Sequence, residues 1–219
     1  MRLNDPMSAV PRRSALPLQE RGPTPLFANI RADLQAYGGN WGAQGFWALV
    51  VYRFGRWRYG VKPVLLRKTL SALYKLLFKL VQIVTGIELP CEVETGRNFV
   101  IDHSGGIVVS GYARFGDNCR IRSGVCVGLS QAGDPCAPVI GHNVDIGAGA
   151  KLLGHITIGD NVLIGANAVV VRDVPSNSIA VGVPAIARPR GAVGARTASA
   201  AHHGRRRPAL RTRPSVNRP

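Results

Sequence analysis

The chain has 219 residues, of which 46% are hydrophobic and 26 are glycine, a composition that suits one sizeable core with many turns. Four cysteines lie at 91, 119, 126 and 136 and form no CxxC pair, which excludes a disulfide framework and a metal-ligand pattern and favours a reducing compartment. No uncharged apolar stretch reaches the length of a membrane span. These features predict a cytoplasmic protein without a bound metal.

The formal net charge of +16 is concentrated near the ends of the chain. Residues 1–24 are rich in proline and arginine and lack the apolar run of a secretory signal, so we expect them to be disordered. Residues 191–219 carry seven arginines and no acid, and we expect a second disordered segment there. A basic tail can bind nucleic acid or an anionic membrane, but a solvated tail is the simpler interpretation, and nucleic-acid binding is not predicted.

Residues 25–85 predict a helical domain. One helix is expected from residue 26 to a Gly38-Gly39-Asn40 break, and a second ends near Gly60. A third, longer helix is expected after Pro63, with three lysines on one side and leucines and aromatics on the rest. Such spacing is typical of packed helices, and we assign all three to packing. The alternative for the third helix is that it lies on a membrane surface.

The strongest pattern in the chain is a six-residue period from 139 to 174. Every sixth position there is aliphatic, and glycine follows most of these positions. The aliphatic series is Ile140, Ile146, Leu152, Ile158, Ile164 and Val170. A period of six fits neither an amphipathic helix nor a half-buried strand, and it is the hexapeptide repeat of a β-solenoid.

The same repeat extends backwards, with insertions, to the start of a β-domain predicted over 86–190. Earlier rungs are expected to begin at Leu89, Thr95, Ile101 and Ile107, and a two-residue insertion then resets the frame to Phe115, Ile121 and Val127. About thirteen hexads make about four triangular coils. Solenoid ends need caps, so we expect the helices to close one end and residues 174–190 the other.

Regular hexads need no histidine or aspartate, so departures from the repeat mark candidate chemistry. His103 follows Asp102 at a predicted corner, where a near-neutral imidazole could act as a general base for a hydroxyl or an amine. Glu88, on the preceding rung, could orient that ring or be a surface residue at the junction with the helices. His142 and His155 occupy ordinary corner positions and are interpreted as structural. The loop 129–138 interrupts the hexads and could wall a cleft or be a passive insertion.

The chain resembles the hexapeptide-repeat acyltransferases, and most closely the serine O-acetyltransferases. The resemblance runs from about Phe46 to Pro189 and includes TGIEL at the helix–solenoid junction, GRNFVIDHSGGIVV around the histidine and a final AVGVPA. It implies N-terminal helices followed by a left-handed parallel β-helix. It also implies trimers or dimers of trimers, with acetyl-CoA in the groove between adjacent subunits.

The resemblance also implies roles for individual residues. His103 matches the general base, Asp102 the carboxylate that contacts an amino-acid acceptor, and Glu88 a carboxylate that pairs with the histidine. Ala148 and Ala166 match positions whose backbone binds the pantetheine arm of acetyl-CoA. Gly182, with the Val-Pro that follows it, matches the segment near the adenine end.

One departure from the family pattern leaves the acceptor open. Serine acetyltransferases carry Arg-His-Pro before the clean hexads, where the first two side chains help hold the serine carboxylate. This chain has Cys136-Ala137-Pro138 instead. Either Arg114, Arg120 or Arg122 binds the carboxylate, and we name Arg122, or the acceptor is a sugar hydroxyl rather than serine.

Two further interpretations remain at this stage. Asp33 matches a helical-domain acid of the family in a loosely aligned region. A binding protein whose solenoid is only a scaffold for the arginine-rich tail is the non-enzymatic alternative.

Overall fold

The computed structural model describes residues 26–129 and 136–190, so the two terminal segments predicted to be disordered lie outside the described residues. Its helical part contains α1 (Leu26–Ala36), α2 (Gln44–Trp57), a short 3-10 helix (Arg58–Gly60) and α3 (Val64–Thr85). Gly86 ends α3 in the left-handed conformation (φ 65°), and its amide donates to the carbonyl oxygen of Gln82. The three predicted helices are confirmed.

The rest of the described chain is a parallel β-helix with three sheets. Sheet A contains β1 (Ile87–Glu88), β4 (Ile107–Val109), β7 (Cys126–Gly128), β10 (Lys151–Leu153) and β13 (Val169–Val170). Sheet B contains β2 (Glu94–Thr95), β5 (Arg114–Phe115), β8 (Val139–Ile140) and β11 (Thr157–Ile158). Sheet C contains β3 (Val100–Asp102), β6 (Arg120–Arg122), β9 (Asp145–Ile146), β12 (Leu163–Ile164), β14 (Ser178–Gly182) and β15 (Ala185–Pro189). The chain visits the sheets in the order A, B, C on each of about four turns, which confirms the predicted fold class of helices followed by a parallel β-helix.

Most of the strands bury at least one residue in the middle of the solenoid, although β2 and β15 bury none. In sheet C the pairing register stacks Ile101, Ile121, Ile146 and Ile164, and all four side chains are buried. The in-register pairing of the short strands lets each of these side chains contact the one in the next coil. The hexad pattern read from the sequence is therefore the core of the fold.

The predicted frame is wrong at the first rung. The structure pairs Ile87, not Leu89, with Ile107. The first coil runs from Ile87 to Ile107 and is two residues longer than three hexads, because the turn from sheet A to sheet B carries an insertion there. Leu89 is also buried, in that turn.

Helix α2 caps the first coil by close contact. A Cβ atom added at Gly45 would lie 2.3 Å from the carbonyl oxygen of Ile101, so only glycine allows the helix to lie directly on β3. The hydroxyl of Tyr52 donates to the carbonyl oxygen of Val93 at 2.8 Å, and Phe46 and Leu49 are fully buried. At the other end, β15 pairs antiparallel with β14. Both predicted caps are present.

Asp33 has a structural contact inside the helical part. Its carboxylate is buried and accepts hydrogen bonds from Nε and Nη2 of Arg53 at 2.8 and 3.0 Å. A two-point pair of this kind ties α1 to α2. Across residues 26–129 and 136–190, no helix is long and apolar enough to cross a membrane.

Candidate active site

His103 adopts a backbone conformation that is uncommon for residues other than glycine. It follows β3 at the turn from sheet C to sheet A, its φ is 61°, and its imidazole is exposed. The left-handed conformation costs a non-glycine residue about 1–2 kcal/mol, so it persists only where the surrounding fold imposes it. The fold therefore holds this exposed imidazole on a rigid turn, where it can react with a bound molecule.

A cleft of about 580 Å³ opens beside His103, between β3 and the end of α1 with the turn that follows it. Its polar side chains come from both parts of the structure. They are Tyr37, Asn40 and Gln44 from the helical part and Asp102, His103, Ser104 and Arg120 from the β-helix. The sequence analysis identified Asp102 and His103 and considered Arg120, but it did not identify Ser104 or the helical wall, because no motif marks Tyr37, Asn40 or Gln44.

Tyr37 fixes the helical wall to the β-helix. Its hydroxyl donates to the carbonyl oxygen of Ile101 at 3.1 Å and accepts from the amide of the same residue at 2.8 Å. Burial raises the pKa of Tyr37 well above its ordinary value, so the phenol stays protonated. The contact therefore positions the strand that leads directly to Asp102 and His103.

The three arginines considered for an acceptor carboxylate lie in different places. Arg120 lines the cleft, and its Nη1 donates to Oδ2 of Asp102 at 2.5 Å. Both Nη atoms of Arg122 bind the carboxylate of Asp145, and this contact is the main cause of its raised pKa. Arg114 pairs with Glu94 on sheet B, with Nε 3.2 Å from the carboxylate. Of the three, the structure brings Arg120 to the cleft.

Glu88 lies apart from His103. It is on sheet A, opposite Val108, and its Oε2 accepts a hydrogen bond from Nε2 of Gln82 at 2.8 Å. It does not line the cleft. Within the described ranges, the structure places no hydrogen-bond partner on the imidazole of His103. The predicted pairing of Glu88 with this ring is therefore not formed within one chain.

The residues assigned to acetyl-CoA share a corner with His103. The register of sheet C places Ala148, Ala166 and Gly182 at the equivalent position of later coils, two residues after each inward side chain. We call the turns 103–106, 123–124, 147–149 and 165–167 the glycine corner, since Gly105, Gly106, Gly124 and Gly149 all have positive φ there. The alanines are partly or fully exposed and Gly182 is exposed. The structure thus brings the predicted base and the predicted cofactor positions onto one edge.

A second corner, between sheets B and C, carries a ladder that the sequence analysis missed. Its residues are Asn98, Asn118, Asn143, Asn161 and Asn177, all with positive φ. Each side-chain amide donates to the next carbonyl oxygen, at distances from 2.8 to 3.1 Å. We call these residues the asparagine corner. The signal was present in the sequence, because an asparagine occurs three residues after each of Thr95, Phe115, Ile140, Ile158 and Val174.

The remaining departures from the repeat have local contacts away from the cleft. His142 accepts a hydrogen bond from the amide of Asp117 at its Nδ1 (3.0 Å), and His155 is exposed at another turn. Ala137, from the segment that replaces the family's Arg-His-Pro, is buried just before β8 and does not line the cleft. In the part of the chain that the structure describes, no cluster of three or more histidine, cysteine or acidic residues could hold a metal ion.

Comparison with known proteins defines the class. The family model of the bacterial transferase hexapeptide (six repeats) matches residues 137–172. The chain is 40% identical over 141 residues to a serine acetyltransferase of Synechococcus elongatus, covering 64% of this chain and 55% of that protein. It is 37% identical over 142 residues to the serine acetyltransferase of Helicobacter pylori strain J99, covering 64% of this chain and 79% of the relative.

A solved structure agrees with these relatives. The serine acetyltransferase of Neisseria gonorrhoeae in complex with serine matches with a TM-score of 0.63 and 33% identity, over 74% of this chain and 69% of that one. The β-helix is therefore that of a hexapeptide-repeat transferase. Within that class, the chain belongs to the serine acetyltransferase family. It spans 55% of the length of the Synechococcus relative.

Proposed function

We propose that the protein transfers the acetyl group of acetyl-CoA to the hydroxyl of L-serine. The observation that carries the proposal is the placement of His103 and the Asp102–Arg120 pair on one cleft, in a member of the serine acetyltransferase family. That several relatives are named serine acetyltransferase, one of them solved with serine, supports the choice of acceptor.

His103 acts as the general base. Its imidazole takes the proton of the serine hydroxyl while the oxygen attacks the thioester carbonyl carbon. The carbon–sulfur bond then breaks, and the imidazolium returns the proton to the departing thiolate. The products are O-acetylserine and free coenzyme A, and the ring ends neutral, ready for another cycle.

The Asp102–Arg120 pair fits an amino-acid zwitterion. A bound serine offers an ammonium to the carboxylate of Asp102 and a carboxylate to the guanidinium of Arg120. Arg120 takes this role in place of Arg122, because Arg120 lines the cleft and Arg122 binds Asp145 outside it. Arg120 is also 45% exposed at its side chain, so it can turn toward a ligand without breaking a buried contact.

Acetyl-CoA is proposed to lie along the glycine corner. The backbone at Ala148 and Ala166 would contact the pantetheine arm, and Gly182 would lie near the adenine end. The corner offers backbone groups without side chains in front of them, which suits an extended ligand beside His103. We further propose that this edge faces a neighbouring copy in a homotrimer or a dimer of trimers.

Two finer assignments complete the proposal. Glu88 as a partner of the imidazole remains a prediction, since its carboxylate is bound to Gln82 in this chain. A reducing, cytoplasmic location is proposed from the cysteines, because no disulfide joins them in the described residues.

The test is thiol release from acetyl-CoA with L-serine and with a panel of sugars and sugar nucleotides, with product masses measured. The proposal predicts serine-dependent release and a product with the mass of O-acetylserine. Replacement of the family's Arg-His by Cys136-Ala137 is the observation that favours a sugar. Thiol release with a sugar and none with serine would overturn the choice of acceptor. No thiol release with any acceptor would overturn the proposed activity.

A further inference from the structure

Helix α3 has two apolar faces, and only one of them is packed. Tyr74 is buried in the core, and Leu77, Phe78 and Val81 pack against the same core. The opposite face is exposed along the length of the helix. Its exposed residues are Leu65, Leu66, Leu73, Leu76, Leu80, Ile83 and Val84.

These side chains form one continuous surface. At 3.6 residues per turn, Leu65 to Val84 fall within an arc of about 100°. The side chains that point most directly away from the core are 79% (Leu65), 68% (Leu76) and 72% (Ile83) exposed. We call this surface the α3 face. A contiguous apolar patch of this size on a protein surface marks an interaction site.

The charged residues of α3 itself are all basic, and one carboxylate from outside the helix, that of Glu88, bonds to Gln82 near its C-terminal end. Lys68, Lys75 and Lys79 lie along one flank at helical spacing, and all three are exposed. The helix contains no aspartate or glutamate. A partner that covers this surface must contact the apolar side chains and must also supply negative charge to the three lysines.

We infer that the α3 face docks on an anionic phospholipid surface. A helix with an apolar face and basic flanking residues can lie in the plane of a bilayer surface, with its apolar side chains below the headgroups. Lysine side chains reach the phosphates while their methylene stems remain in apolar surroundings. The helix lies on the surface and does not cross it, in agreement with the absence of a membrane-spanning helix among the described residues.

A second copy of α3 fits the same face less well. Two helices packed through these leucines would bring the lysines of both copies close to one interface. Neither helix has a carboxylate to neutralise them. Lipid headgroups provide the negative charge that a second α3 lacks.

The experiment is co-sedimentation of the full chain with vesicles. One set contains phosphatidylcholine alone, and in the other phosphatidylglycerol replaces about a third of it. The wild-type chain is expected to bind the anionic vesicles. The double variant Leu76→Glu/Ile83→Glu is expected to bind at least about tenfold more weakly, because two exposed apolar anchors are replaced by anions. Val171→Glu, which places the same charge on an exposed apolar residue of the β-helix, is expected to bind like wild type.

A second variant tests the charges and guards against misfolding. Lys68→Gln/Lys75→Gln/Lys79→Gln keeps the apolar face and is expected to lose the preference for anionic vesicles. Circular dichroism establishes that each variant keeps its helices. Unchanged binding of the leucine–isoleucine variant would show that the basic termini carry the binding, and would overturn the inference. The inference would also be overturned if the wild-type chain did not bind anionic vesicles and the Leu76→Glu/Ile83→Glu variant formed a smaller assembly than wild type in light scattering.

Discussion

The asparagine corner and the glycine corner meet the same backbone requirement in different ways. Both place residues in the left-handed conformation at every coil. At the asparagine corner, each inner side-chain amide donates to the next coil and accepts from the previous one, so the column satisfies itself except at its two ends. At the glycine corner the column is built mostly from residues without side chains, and His103 is an exception. Both edges have backbone hydrogen bonds from coil to coil, and the asparagine corner adds a ladder of side-chain hydrogen bonds that the glycine corner does not have.

The largest expected difference between the two corners is the effect of a substitution on kcat. Replacing His103 with alanine should lower kcat by about 10²- to 10⁴-fold, since general-base catalysis contributes on that order. The melting temperature should change little, because the side chain is exposed and alanine keeps the same left-handed backbone conformation. Steady-state kinetics and thermal melting measure the two effects, with His155→Ala, another exposed turn histidine, as control. A turnover near the wild-type value in His103→Ala would contradict the mechanism.

The next effect separates Arg120, which lines the cleft, from Arg114, which does not. Arg120→Gln should raise the KM for serine about 10- to 100-fold, because a charge-assisted hydrogen bond to the carboxylate is lost. Its kcat should change little, and the KM for acetyl-CoA should not change. Arg114→Gln, on sheet B, is the matched control and should leave both constants unchanged. An equal rise in KM in both variants would show that Arg120 has no specific role.

Substitutions at the asparagine corner should change the free energy of unfolding and should leave kcat nearly unchanged. Asn118→Ala should lower the free energy of unfolding by about 1–2 kcal/mol, because it breaks two ladder hydrogen bonds and places alanine at a positive φ. Asn118→Gly should lose less, since glycine accepts that backbone conformation. Denaturant unfolding gives both values, and kcat of the folded enzyme should remain within about twofold of wild type. A larger loss in the glycine variant than in the alanine variant would contradict the conformational part of the argument.

A smaller effect is expected at alkaline pH, from a thiol beside the asparagine corner. Burial raises the pKa of Cys119 to about 12, and its Sγ lies 3.1 Å from the carbonyl oxygen of Gly141. The unfolded chain releases this proton near pH 8.5, so stability from the buried thiol is present below that pH and is lost as the pH rises toward 12. Unfolding measured from pH 8 to 11 should show falling stability, with a shallower slope in Cys119→Ala. Equal slopes would contradict the assignment.

The sequence analysis predicted the β-helix because its signal is repeated at every coil. One aliphatic residue per hexad, followed by a small corner residue, has a single structural solution. It failed at Leu89, where an insertion shifts the frame without changing the residue type. In this longer first coil Glu88 lies opposite Val108, and its pairing with His103 stays a prediction.

The site was only partly predictable for a different reason. His103 and Asp102 break a strict repeat and can be recognised locally. The partner of Asp102 is Arg120, on the adjacent strand of sheet C, and choosing it over Arg122 requires knowing that Arg122 binds Asp145. Tyr37 and Gln44 reach the cleft only because Gly45 lets α2 lie on β3, a contact between segments far apart in sequence.

The most direct test of the account is amide hydrogen exchange of the full chain with and without acetyl-CoA. Acetyl-CoA should slow exchange at residues 147–149 and 165–167, on the edge that His103 shares, and should not change it at Asn143 and Asn161. Slower exchange at the asparagine corner with none at the glycine corner, or no slowing anywhere at saturating acetyl-CoA, would contradict the claim that one edge carries the chemistry.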